Sequence, residues 1–242
     1  MTRYWMLFLF AFVLFMGSGV ALAQQSATCI HQEVSRELSK GQPSIAGTQR
    51  ICFTKTAVRN ETTYDKYTTV AIFDVNEGEI YLIPSNEHQY VQMHLVDYRK
   101  LVKVRLGALG FGDPSQKPSL VKTDKVKTIR SWTCRLYTFT QKGKIPSNGE
   151  LWVTQDSGVD FKEWFELMEK MGLLSAMGDL GKIAANLDGL PISVRVEQIV
   201  FGQHLVTSTE VTSIDREPAD GLFVVPHGYK KMDVKSIDGS FE

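Results

Sequence analysis

The sequence predicts an α+β fold built on an antiparallel sheet, and three observations predict it. Short runs of β-branched and aromatic residues are separated by turn residues rather than by long crossovers. Helical periodicity is confined to 95–109 and 160–172, with a looser stretch as far as 187. The two best strands are apolar on both sides: Val70 and Ile72 alternate with Ala71 and Phe73, and Ile80 and Leu82 with Tyr81 and Ile83. Side chains alternate faces along a strand, so something apolar must cover this sheet on each side.

The chain opens on a targeting signal. Arg3 supplies the positive end, residues 7–16 are nearly all Phe, Leu, Met, Val and Ala, and Ala21, Leu22 and Ala23 form a small-x-small cleavage site. Residues 1–23 are therefore expected to be removed as a signal peptide, leaving an exported, soluble chain from Gln24. The competing reading is a retained anchor over 4–20, but Gly17, Ser18 and Gly19 interrupt that run. The cut lacks the Cys of a lipid-anchored envelope protein.

Of 242 residues, 27 are basic and 27 acidic, so nothing draws the protein to phosphate. Without a basic run interleaved with aromatics, nucleic-acid binding is not expected. A second apolar stretch of spanning length, a repeat and a low-complexity linker are all missing from the sequence, which predicts one domain over 24–242.

Residues 47–58 read as the first strand, leading through a polar connector at 59–63 into three strands at 67–74, 79–84 and 89–93. Leu95, Tyr98, Val102, Leu106 and Leu109 then fall at helical spacing. The glycine-rich stretch 107–114 follows a helix and opens a Pro-containing loop, the reverse of a phosphate cradle, and so reads as a helix stop. Strands return at 126–130, 131–140 and 150–154. Asp160 can cap the next helix, with Glu163 completing a capping box, and Gly172 stops it. Phe161, Trp164, Phe165, Met168 and Met171 line one face of that helix. Leu173, Met177, Leu180, Ile183, Ala184 and Leu187 continue at compatible spacing to make a helical hairpin, either a lid over an apolar cavity or ordinary core packing. Strands at 190–197 and 204–215 precede a last apolar run at 222–226, and 227–231 closes the sheet or lies beside it.

Three cysteines in an oxidising compartment imply one disulfide and one thiol. Cys29 and Cys52 both precede the meander and are the favoured pair, worth about 3 kcal/mol in the chain-entropy model. Cys134 reads as a small buried hydrophobe, although its pairing with either of the others stays open. CxxC and HxxxH spacings are missing, so neither metal nor cofactor is expected. Ser119 and Lys122 match a Ser-x-x-Lys spacing without its companion motifs, and there is no Gly-x-Ser-x-Gly elbow. No catalytic residue is assigned, and an enzyme is not expected.

The order of these elements, carried by residues 74–90, 132–137 and 222–229, resembles the lipoprotein-carrier-like periplasmic domains. That group includes the carriers LolA and LolB and neighbouring domains of unknown function. The resemblance implies a strongly curved antiparallel sheet, an incomplete barrel, with helices closing its concave side over a hydrophobic pocket for acyl chains. Phe73, Leu82, Trp132, Phe161, Trp164, Phe165, Met168, Met171, Met177 and Leu180 would line that cavity and its lid. The expected partner is a hydrophobic small molecule or acyl chain, such as a lipid or lipoprotein anchor. The alternative is a packed cell-envelope structural or interaction protein whose partner is another envelope protein. Intact mass measured without reductant on the exported chain is expected to show cleavage after Ala23 and one internal bridge. Three free thiols would contradict this.

Overall fold

The computed structural model describes residues 26–38, 45–84, 88–108, 118–142, 145–172, 174, 181, 184–200 and 202–233. The leader, the glycine-rich stretch after Ala108 and most of the second helical segment, with Met177 and Leu180, lie outside the described residues. So do the side chains of 105–108.

Twelve strands form one open sheet. They are β1 (Ser26–Leu38), β2 (Ile45–Phe53), β3 (Ala57–Tyr64), β4 (Tyr67–Asp74), β5 (Glu79–Ile83), β6 (Gln89–His94), β7 (Ser119–Ile129), β8 (Trp132–Gln141), β9 (Ser147–Thr154), β10 (Leu190–Val200), β11 (Gln203–Pro218) and β12 (Lys230–Met232). Helix α1 (Leu95–Ala108) follows β6, and α2 (Phe161–Lys170) follows β9. The strand order is β12-β6-β5-β4-β3-β2-β1-β11-β10-β9-β8-β7. Every pair is antiparallel except β12 with β6. Two meanders, β1–β6 and β7–β11, are thus joined along β1 and β11.

The turns follow from local chemistry. Between β4 and β5, the Asp74 carboxylate accepts the N–H groups of Asn76 and Glu77, each at 3.0 Å, and Gly78 takes a positive φ of 69°. The Gly78 carbonyl then accepts the Leu95 N–H at 2.7 Å, tying the start of α1 to that hairpin.

Register explains why the meander is apolar on both sides. Thr28, Phe53, Val58, Phe73, Ile80 and Met93 are cross-strand partners in one row over β1–β6. Cys29, Cys52, Arg59, Ile72, Tyr81 and Gln92 form the adjacent row, which faces the other way. The first row enters the main core, where it meets Leu95 and Tyr98 of α1 and Trp164, Leu167 and Met171 of α2. The second is covered by the chain that follows β11. Ala219, Leu222 and Phe223 pack on the Cys29–Cys52 disulfide, and Arg59 donates to the Leu222 carbonyl at 3.4 Å. Further along, Lys231 Nζ donates to Gln92 Oε1 at 2.9 Å. Residues 219–229 therefore strap the second face from β1 to β6, and Ile72 in mid-row is fully buried.

One expectation is corrected, and two segments that carried no assigned element acquire a role. The polar stretch 59–63 is not a connector but the body of β3, because strands on both sides supply its hydrogen bonds. Residues 26–38, left without an element in the sequence reading, form a strand that joins the two meanders. The apolar run 222–226 is an irregular strap, and β12 beyond it pairs in parallel with β6.

Ile72→Ala, which leaves a cavity beneath the strap, is expected to lower stability by about 2–5 kcal/mol in urea titration. Ile199→Ala, at an exposed position, should change it by less than about 0.5 kcal/mol.

Candidate functional site

The site is built on α2. Its N-terminus is capped as the sequence predicts, with the Asp160 carboxylate accepting the Glu163 N–H at 3.0 Å. Just past its end Gly172 adopts φ 75°, and Arg99 of α1 donates to the Lys170 carbonyl. Both ends are thus anchored, which fixes the rotation of the helix.

That rotation buries Leu167 and Met171 to 1% exposure and leaves Phe161, Trp164, Phe165 and Met168 half-buried. Trp164 leans on Phe53 of β2 with ring centroids 4.7 Å apart, and Phe73 of β4 meets Tyr98 of α1 edge-on at 5.5 Å. Of the residues expected to line a cavity, Phe73, Leu82, Trp132, Phe161, Trp164, Met168 and Met171 join a single apolar cluster. Phe165 stands beside Phe161, with centroids 6.1 Å apart. Phe161 also touches a second cluster of Tyr137, Val153 and Leu187, so α2 bridges the two meanders. The sequence reading missed Leu167, the most buried residue of the helix. The signal was present, since 164, 167, 168 and 171 make the i, i+3, i+4, i+7 stripe.

The apolar face of the first meander ends in amides. Gln49 Nε2 donates to Asn60 Oδ1 at 2.8 Å and to Thr62 Oγ1 at 3.2 Å, and Gln32 donates to Gln49 Oε1. Asn60 shares its cross-strand row with Ile51, Ala71 and Leu82. One sheet face therefore changes from hydrocarbon to amide within neighbouring rows.

A polar clamp fastens the chain entering β10. Asp188 accepts from the Tyr137 hydroxyl and pairs with Lys122, while its neighbour Leu187 packs on Tyr137 and Val153. Burial opposes ionisation of Asp188, but the hydrogen bonds from Lys122 and Tyr137 outweigh it and hold the carboxyl below its ordinary value. The Tyr137 hydroxyl is pushed up, chiefly by burial.

Cys29 and Cys52 form the expected disulfide. Cys134 is a free, buried cysteine whose thiol is pushed up by burial, as suits an unreactive core residue. The sulfurs of Cys29 and Cys52 lie within 4.8 Å of a Glu217 oxygen, but a disulfide offers no thiolate and Arg50 already pairs with Glu217. Several surface grooves among the described residues have mixed charge, including one of about 290 Å³ beside α2 with Lys55, Asp160, Lys162 and Glu166. Another of about 520 Å³ includes His31, Glu33, Arg50, Glu61 and Arg130, and one of about 250 Å³ includes Lys122, Arg135, Asp156 and Asp188. Among the described residues, no helix is long and apolar enough to cross a membrane.

No family model and no curated protein matches the sequence. Solved structures similar to this chain include a LolA superfamily protein from Nitrosomonas europaea, with 7% identity, 84% of this chain and 91% of that one covered, and TM-score 0.29. A DUF1329 family protein from Desulfovibrio piger also matches, with 7% identity, coverages of 83% and 90%, and TM-score 0.31. The group that the sequence resembles is thus found among the structural neighbours. PNGF-II matches at 12% identity and TM-score 0.35 over 88% of this chain, which spans only 32% of that protein. Overlaps of this size say nothing about what this chain binds.

The clamp gives a pH-dependent prediction. Because the folded Asp188 value is lowered, its contribution is present above the unfolded carboxylate value of about 4 and is lost as pH falls through the folded one. The loss of stability in Asp188→Asn, read from urea midpoints, should be largest at neutral pH and vanish in strong acid.

Proposed function

We propose that this chain is an exported, periplasmic binding protein without catalytic activity. It holds a hydrophobic ligand, an acyl chain, lipid or lipoprotein anchor, in a half-barrel whose concave face the helices cover. One observation carries this reading. Phe161, Trp164, Phe165 and Met168 form a half-buried flank of rings and a thioether beside the sealed pair Leu167 and Met171. Half-buried rings and a thioether offer apolar surface that a guest would cover, and Met adapts to irregular shapes. A guest burying about 300 Å² of apolar surface there would gain about 7 kcal/mol before association and ordering costs, so firm retention calls for a longer chain that buries more.

A second reading is favoured by a different observation. Leu167 and Met171 are as buried as any residue in the sheet core, which suits a packed envelope protein whose working surface lies elsewhere and whose partner is a protein.

Native mass spectrometry after gentle extraction separates the two readings. The binding reading expects an adduct in the mass range of a fatty acid or lipid that Trp164→Asp removes, while strand content by circular dichroism persists. If the chain carries no adduct, or if unfolding accompanies ligand loss, α2 is core and the binding reading fails.

A further inference from the structure

The face of the first meander that meets α2 changes character along its strands. Phe53, Val58, Phe73 and Ile80 are buried, and in the next row Ile51, Ala71 and Leu82 are half-buried. Asn60 stands in that second row, and Gln32, Gln49, Thr62 and Thr69 make up the third. Over β1–β6 these three rows contain no Asp, Glu, Lys, Arg or His. The charged residues of the same strands, His31, Arg50 and Glu61, occupy the alternate positions and face the other way. Along β2, four residues at strand rise, about 13 Å, lead from Phe53, whose ring meets Trp164, to the uncharged amide of Gln49.

The amides are bonded to one another in a chain. Gln32 donates to Gln49 Oε1, Gln49 donates to Asn60 Oδ1 and Thr62 Oγ1, and Thr62 donates to Asn60 Oδ1 at 3.5 Å. That leaves the Asn60 amino group at one end and the Gln32 carbonyl oxygen at the other without a hydrogen bond among the described residues. One end offers donors and the other an acceptor. A carboxylate can only accept and an ammonium can only donate, and a half-buried charge with no counter-charge on this face is penalised. A hydroxyl or an amide does both. We propose that the chain Gln32–Gln49–Asn60 is a head-group subsite, so that the ligand is an amphiphile whose uncharged head bears hydroxyl or amide groups. Its hydrocarbon lies over Ile51, Ala71 and Leu82 towards Phe53 and Trp164. This rests on the binding reading of α2 and adds to it the chemistry of the head.

The test is a titration of the tryptophan emission of the exported chain with four lauroyl compounds below their micellar concentrations. Monolauroylglycerol and N-lauroylglycinamide are expected to bind about tenfold more tightly than methyl laurate, whose head accepts but cannot donate. Laurate, with its charge, should bind no more tightly than methyl laurate. Whichever of the first two binds better tells whether the subsite prefers hydroxyls or amides. Gln32→Leu/Asn60→Val should remove the preference for both while methyl laurate still binds. If that pair disturbs folding, Asn60→Val by itself decides, with an expected loss of about threefold in the preference. Equal binding of the glyceryl and methyl esters, a preference that survives the substitutions, or tighter binding of laurate overturns the proposal and leaves the α2 reading standing. If no lauroyl compound binds, both fall.

Discussion

The constraint on which the structure depends is that the β1–β6 meander carries apolar side chains on both faces. The row from Phe53 through Phe73 to Met93 requires one cover, and the row from Cys52 through Ile72 to Tyr81 requires another. The fold answers with two unlike devices. Helices α1 and α2 meet the first row, and an irregular strap after β11 crosses the second, seated on the disulfide and tied through Arg59. The cross-link does more than restrict the unfolded chain. It forms part of the floor on which the strap rests.

The two covers differ in finish. Beneath the strap Ile72 is sealed, and the row around it is tied by polar contacts from Arg59 and Gln92. At α2 the seal is partial, with Leu167 and Met171 closed and the Phe161, Trp164, Phe165 and Met168 flank half open. Helix α2 touches clusters belonging to both meanders and so joins their apolar surfaces. This cover, fixed at both ends by a cap and an arginine and unsealed along one flank, is where the proposed guest would enter.

How legible this was depended on the local signal each element carries. The strands over 67–93, the capped helix after Asp160 and the Cys29–Cys52 bridge were all readable, because periodicity, capping chemistry and cysteine arithmetic are local. Strand β3 was not, since Arg59, Asn60, Glu61, Thr62 and Thr63 have no apolar alternation and are strand only because β2 and β4 flank them. The strap was invisible as a cover, because irregular chain has no period and its role depends on where β11 ends. At the candidate site the aromatic and Met face was readable but its depth was not. The same stripe serves a core or a seam, and Leu167, which decides how far the helix sinks, was overlooked beside its larger neighbours.

The central claim is that α2 is the cover that yields to a hydrophobic guest while the doubly covered meander holds. Hydrogen exchange on the exported chain, with and without a saturated fatty acid, tests it most directly. The account predicts altered protection in residues 161–170 and unchanged protection across β3, β4 and β5. Protection that stays the same in α2, or that shifts equally in helix and meander, would contradict it.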